Sequence, residues 1–158
     1  MLTGALASSY HGRPRTTLDI DVVVAAKGSD LATLARALAN ASLRVEEKRL
    51  EVTWRSNYRV ATVEDRKSPH TLDIIFAEGK LERKAGSILG LPTFYQTAES
   101  LVLAKLKMIR ATLQPERAAT DREDIKAILK SSRLRLKTLR RKARDQATSE
   151  ILEDLMRE

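Results

Sequence analysis

Two carboxylates stand two residues apart inside an otherwise apolar run, Thr17-Leu18-Asp19-Ile20-Asp21-Val22-Val23-Val24. The β-branched residues predict a strand. Side chains alternate across a strand, so Asp19 and Asp21 project from one face while Leu18, Ile20, Val22 and Val24 project from the other. Two neighbouring acids on one face repel each other and are costly to desolvate, and a divalent cation shared between them compensates both effects. The same string also occurs on a solvated strand edge, so the pair alone leaves two readings open.

The flanking sequence narrows them. Gly4-Ala5-Leu6-Ala7-Ser8-Ser9-Tyr10-His11-Gly12 follows a short apolar start. It predicts strand, tight turn, helix, turn and then the acidic strand, with Gly12 suited to a helix C-terminus. Backbone N–H groups at the Gly4 turn and the helix N-terminus would face a phosphate near the end of that strand. A third acid lies in a second strand-like run, Thr71-Leu72-Asp73-Ile74-Ile75-Phe76. Asp73 shares a face with Ile75, and Leu72, Ile74 and Phe76 take the other, so both faces are largely apolar. If this strand pairs beside the first, three carboxylates converge as two-metal phosphoryl or nucleotidyl transfer requires. An acid neutralised by a neighbouring arginine is the plainer alternative.

Taken together, Gly4-Ala5, the segment His11-Gly12-Arg13-Pro14-Arg15-Thr16-Thr17-Leu18-Asp19-Ile20-Asp21 and the later Asp73 resemble the minimal nucleotidyltransferases of the DNA polymerase β superfamily. The nearest likeness is to the group holding the AbiEii-type toxins of type IV toxin–antitoxin systems and their prokaryotic relatives. There a Gly-[Gly/Ser] turn precedes an R-x-T-x-D-x-D strand, and a later strand supplies the third acid. The resemblance implies a nucleotidyltransferase-fold mixed sheet flanked by helices, an α/β (α+β) architecture. It also implies a Mg²⁺-dependent transfer of NMP from an NTP to an acceptor hydroxyl, with RNA, tRNA in particular, as the favoured acceptor and a cognate antitoxin as a further partner. By the same resemblance Asp19, Asp21 and Asp73 are catalytic metal ligands. Gly4, Ala5, Ser8, Arg15 and Thr17 fall in the nucleotide site. Where many relatives carry Gly-Ser or Gly-Gly, this chain has Gly4-Ala5, and its nearest hydroxyls, Ser8 and Ser9, lie about a turn deeper. A backbone contact to phosphate needs no hydroxyl.

The likeness extends through Thr97–Leu106, a lysine-bearing helix in the relatives, and Thr120-Asp121-Arg122-Glu123-Asp124-Ile125, and so covers most of residues 2–130. Helical geometry gives Lys105 a meaning of its own. Ala98, Leu101, Val102 and Ile109 form one stripe with Lys105 in its middle and Lys107 opposite. A lysine on an apolar face meets an anion, a triphosphate or an internal carboxylate such as Asp73, or else snorkels to the surface. Thr120 with Glu123 reads as a capping box opening the next helix. Asp121 then lies in its first turn, explained equally by the helix dipole and by a nucleotide-site role; Asp124 lies at the flank of the inward stripe.

From Lys130 to Arg144 the chain carries Lys130, Arg133, Arg135, Lys137, Arg140, Arg141, Lys142 and Arg144 with no acid. Leu136, Leu139, Ala143 and Ala147 recur at helical spacing and continue into Ile151 and Leu155. One basic amphipathic helix from about residue 132 is predicted, its apolar side packed on the domain or a partner. Arg133, Lys137, Arg140, Arg141 and Arg144 would face nucleic acid or simply solvent. The region has no Trp or Phe to bury in a membrane interface. Over the 158-residue chain, 29 basic against 21 acidic residues give a formal charge of +8. That excess favours a nucleic-acid acceptor with salt-sensitive binding over a free nucleotide alone.

The remaining expectations are architectural. The length suffices for a proper core, divided into a nucleotidyltransferase core over 1–96 and a helical region over 97–158 packed on it. A helix is expected over Leu31–Ala41, then two strands, Leu43–Trp54 and Tyr58–Val63, joined as a hairpin at Arg55-Ser56-Asn57. Ser87–Thr97 reads as a short strand or extended loop. The absence of cysteine excludes disulfides, thiolate zinc sites and a cysteine nucleophile. His11 and His70 stand at unrelated positions and form no metal motif, and a structural role is expected of His11. No apolar run is long enough for a bilayer and no secretory signal opens the chain, which predicts a cytoplasmic protein without a membrane partner. Relatives place a helix before the glycine turn, and its lack here predicts that a second subunit, in a homodimer, or the basic helix covers that edge. The competing reading is a catalytically degenerate module that keeps the fold and binds nucleic acid or a protein partner.

Overall fold

Val22, Val24, Leu72, Ile74 and Phe76 turn one face of two neighbouring strands into a continuous apolar surface, and helices cover it. A computed structural model describes residues 1–158. The protein is mixed α+β, with seven α-helices and six strands. It divides into two compact units, one formed by Met1–Leu6 with Thr16–Tyr95 and the other by Ala7–Arg15 with Gln96–Glu158. The second unit therefore gathers a short N-terminal stretch as well as the helical region that the sequence marks off near residue 97.

In the first unit β1 (Asp19–Val24), β2 (Leu43–Arg44), β3 (Val60–Asp65) and β4 (Thr71–Phe76) form one sheet in the order β1-β4-β3-β2. β1 and β4 run parallel, and the other pairs are antiparallel. The first strand reaches its parallel partner through a crossover containing α2 (Leu31–Asn40) and α3 (Glu47–Arg55), as parallel pairing requires. Leu31, Ala35 and Leu38 of α2 and Leu50 of α3 are buried with Ala61, Val63, Ile74 and Phe76 of the sheet. Trp54 closes this core at its edge and donates its indole N–H to the Ala26 carbonyl at 3.0 Å. A separate ribbon, β5 (Arg83–Ile88) with β6 (Leu91–Gln96), replaces the single strand or loop expected there. Leu2 bridges Val22 on one side and Tyr95 on the other, so the N-terminal residues link β1 to the ribbon.

The expected hairpin over Leu43–Trp54 and Tyr58–Val63 is not formed. Only Leu43 and Arg44 form a strand before α3, and β3 begins at Val60. Leu50 and Trp54, one helical turn apart, both reach the core, while Val52 is 63% exposed. A strand would have put Leu50, Val52 and Trp54 on one face; burying only the first and last selects the helix.

The second unit collects the end of α1 (Gly4–His11) with α4 (Ala98–Ala111), α5 (Pro115–Ser131), α6 (Leu136–Asp145) and α7 (Ser149–Arg157). α4 packs on α5 and α6, and α7 on α5 and α6. Leu101, Val102, Leu106, Ile125, Ile128, Leu139 and Leu152 are buried. His11 donates from Nε2 to the Gln96 carbonyl at 2.7 Å, and its own carbonyl accepts from Ser132 Oγ at 2.8 Å. These are structural contacts.

Two boundaries differ from those read in the sequence. α5 starts at Pro115, with proline at the first helical position, so Thr120 is not an N-cap but an interior residue bonding back to the Glu116 carbonyl at 3.0 Å. The long basic helix is broken in two. Ala147 takes a left-handed backbone (φ 53°), and Thr148 turns its N–H and hydroxyl onto the Ala143 carbonyl, at 2.9 and 3.2 Å. No helix is long and apolar enough to cross a membrane.

Candidate functional site

β1 and β4 pair in register, so Asp19 lies beside Thr71 and Asp21 beside Asp73. In-register neighbours on parallel strands point to the same side. Asp19, Asp21 and Asp73 therefore share one face, the reverse of the face that Val22, Val24, Leu72, Ile74 and Phe76 turn to α2 and α3. The antiparallel partner β3 extends the pattern, with Thr62 opposite Asp73 and Glu64 opposite Thr71. Two rows thus cross the sheet, Thr62–Asp73–Asp21 and Glu64–Thr71–Asp19.

Hydroxyls in these rows orient the acids. Thr62 Oγ1 donates to Asp73 Oδ1 at 2.6 Å, and Thr71 Oγ1 donates to Asp19 Oδ1 at 2.7 Å. Thr17 brackets the start of β1, its Oγ1 accepting the Asp19 N–H at 3.2 Å and donating to the Asp19 carbonyl at 3.0 Å. His70 Nδ1 donates to the Leu18 carbonyl at 3.0 Å and ties the entry of β4 to that of β1. The β3–β4 turn is stapled by Asp65, which accepts from Lys67 N at 3.0 Å and Ser68 Oγ at 2.6 Å. The Ser68 hydroxyl, then the Lys67 N–H, hold the Asp65 carboxyl below its ordinary range. Thr62, Thr71 and Asp65 escaped the sequence reading. Alternation places Thr62 and Thr71 on one face of their strands, but that they meet Asp73 and Asp19 depends on strand order.

Gly4 closes the site from the N-terminal side. Its φ is +55°, and a β-carbon there would stand 1.9 Å from Asp21 Oδ2. Thr3 N donates to the Asp21 carbonyl at 2.9 Å, so the turn is tied to the strand beside this carboxylate. α1 starts at Gly4, which sets the helix N-terminus next to Asp21. Ala5 is buried, and its contribution to an anion site is confined to the backbone. Ser8 is 1% exposed. Its hydroxyl is not presented to a ligand, which corrects its assignment to the nucleotide site: one turn into α1 the helix faces the interior.

The side chains of the acid face, carboxylates and hydroxyls, present only oxygen, the ligand atom of a hard divalent cation such as Mg²⁺. Hydroxyls that orient ligating carboxylates are the outer-shell support such a site uses.

In the second unit, Arg15, Lys105, Asp121 and Asp124 come together. Lys105 Nζ lies 2.6 Å from Asp121 Oδ1 and 2.8 Å from Asp124 Oδ2, and Arg15 Nε is 3.2 Å from Asp124 Oδ1. Lys105, Asp121 and Asp124 are all less than a tenth exposed. The anion that the apolar stripe demanded is thus a pair of internal carboxylates, and a phosphate would have to displace one of them from the ammonium. Asp124, marginal by its place on the helical wheel, is the hub that holds both cations. The wheel ranked it on a stripe drawn for a helix beginning at Thr120, without the lysine arriving from α4.

The five basic residues expected to face nucleic acid, Arg133, Lys137, Arg140, Arg141 and Arg144, are all exposed. The structure takes one out of that set. Arg140 grips Glu153 of α7 through Nε and Nη2, which donate to its two carboxylate oxygens at 2.8 and 3.1 Å. The break at Ala147 folds α7 back, and an acid distant in a single helix becomes its partner.

No protein-family model matches the chain, and no curated protein is significantly similar to it.

Proposed function

We propose that the acid face of the first unit is a magnesium-dependent nucleotidyl-transfer site. The observation that carries the proposal is the in-register pairing of Asp21 with Asp73, with Asp19 on the same face and Gly4 against Asp21. Three carboxylates on one face supply the oxygen ligands and negative charge that Mg²⁺ ions would take up. Bound there, the metal would supply charge compensation for the triphosphate and a lowered pKa for the attacking hydroxyl.

The chain's own groups define the rest. Asp19 and Asp21 would hold the cations. The α1 N-terminus, beside Asp21, is where the phosphates of an NTP would lie. Asp73, held through Oδ1 by Thr62, accepts the proton of the acceptor hydroxyl. The hydroxyl oxygen bonds to the α-phosphorus, the bond from that phosphorus to the bridging oxygen breaks, and pyrophosphate leaves. The net positive charge favours an RNA acceptor, with tRNA ends the first to try; a toxin role with an antitoxin partner follows only from the sequence resemblance.

A non-catalytic polyanion-binding module is favoured by one observation, the exposure of Arg133, Lys137, Arg141 and Arg144 without a side-chain partner. One experiment separates the readings. Wild type and Asp19→Asn/Asp21→Asn are incubated with each α-labelled NTP, magnesium and total RNA, and label transfer is followed on a gel. Transfer by wild type alone supports the enzyme. No transfer to RNA, protein or small molecules, with RNA binding unchanged in the variant, supports the module.

A further inference from the structure

β2 covers little of its neighbour. It pairs with β3 only through Leu43–Asp65 and Arg44–Glu64, so Val60–Val63 of β3 has no strand on that side. The uncovered edge opens into a cleft of about 460 Å³. Its floor is Ala61, Thr62 and Val63, and α3 contributes Arg49 and Leu50. Arg44, Arg66, Glu46 and Glu64 complete its charged lining. Arg44 Nη1 lies 3.3 Å from Glu64 Oε2 and these two offset one another. Arg49 and Arg66 make no side-chain ion pair and face the single remaining acid, Glu46, so the cleft keeps a positive excess on two guanidiniums.

The cleft also touches the acid face. Thr62, in its floor, is the residue whose hydroxyl holds Asp73. Adjacent strands are about 4.8 Å apart, so the cleft lies one strand from Asp73 and two from Asp21. A group held there is within the reach of one or two nucleotide units of the carboxylates. The open strand edge adds outward backbone N–H groups, and the forked guanidiniums match phosphate geometry.

We propose that this cleft is the acceptor-strand site, binding a backbone phosphate of a single-stranded RNA between Arg49 and Arg66 so that the terminal hydroxyl is delivered to the acid face. The inference rests on the transfer reading for its chemistry, but its binding test does not. Acceptor recognition then belongs to the sheet edge, and the basic side chains of α6 contribute a secondary, sequence-independent attraction.

The test uses the full chain, a fluorescein-labelled single-stranded RNA oligonucleotide, and no NTP or magnesium. Arg49→Ala/Arg66→Ala is compared with wild type and with Lys137→Ala/Arg141→Ala, after thermal melts establish that each is folded. Both arginines are exposed and the Thr62–Asp73 contact is untouched. The cleft variant is expected to lose tenfold or more in RNA affinity. Its log-log salt slope should fall by about 1.4, roughly 0.7 for each cation removed from a single-strand contact; the α6 variant should lose less. RNA affinity unchanged in the cleft variant, or lost only in the α6 variant, overturns the proposal. So does polyglutamate binding that matches RNA in affinity and in dependence on Arg49 and Arg66, which would make the cleft a seat for an acidic polypeptide. The two readings fail separately. Arginine-dependent RNA binding without label transfer from any NTP removes the enzyme and keeps the cleft. Label transfer with an unchanged KM for RNA in the cleft variant removes the cleft and keeps the enzyme.

Discussion

Gly4 leaves no room for a β-carbon beside Asp21, because one would lie 1.9 Å from the carboxylate oxygen Oδ2. The positive φ alone disfavours other residues, and the steric conflict adds to it. Gly4→Ala is therefore expected to destabilise the protein by about 1–3 kcal/mol and to push Asp21 away from Asp73. Thermal melts with and without magnesium check both effects. A variant that melts like wild type and keeps any magnesium-induced stabilisation contradicts the placement of the turn.

Thr62 and Thr71 orient Asp73 and Asp19 without needing to touch a cation themselves. Thr62→Val and Thr71→Val keep size and strand preference and remove the donor. Each is expected to weaken magnesium–nucleotide binding by roughly 10–100-fold while leaving the melting curve nearly unchanged. Titration calorimetry with a non-hydrolysable NTP measures this, and equal affinities in variants and wild type would rule the hydroxyls out as support.

Lys105 is the buried centre of an internal ion cluster. Lys105→Met leaves Asp124 with Arg15 alone and Asp121 without its lysine, and uncompensated buried charge is costly. A loss of about 3–5 kcal/mol is expected in urea unfolding. A loss below ~1 kcal/mol, the range of exposed pairs, would mean the cluster is open to water.

Asp65 gives the fold a defined acid sensitivity. Its carboxyl is held low, first by the Ser68 hydroxyl and then by the Lys67 N–H. A depressed carboxylate contributes stability above its unfolded-state pKa and loses it as pH falls through the folded-state value. Asp65→Asn should therefore be less stable than wild type at neutral pH, with the gap closing below the ordinary aspartate range. Unfolding curves of the two proteins across acid pH measure the closing gap; one that is constant with pH rejects the staple.

The acid face was legible because alternation is a local property: Asp19, Asp21 and Asp73 could be assigned to faces from the residues around them. Their placement on one common face needed the parallel pairing of β1 and β4, which no local signal encodes. α3 was misread because Val52, Thr53 and Trp54 favour strands individually, whereas the burial of Leu50 and Trp54 against the sheet favours a helix. Thr120 and Glu123 have the spacing of a capping box, but Pro115 had already started the helix. The break at Ala147 escaped notice because alanine seldom takes a left-handed backbone; here Thr148 and the Ala143 carbonyl hold it.

The parallel register of β1 and β4 also sets when the acid face comes into being during biosynthesis. Thr71 and Asp19, bonded in the folded chain, are 52 positions apart, and closing so long a loop is slow compared with forming a hairpin or a helix. A nascent chain that has emerged only through α3 carries Asp19 and Asp21 but not Asp73 beside them. Whatever the acid face binds, it does so only after the ribosome has delivered β4, so ligand affinity reports on completed folding.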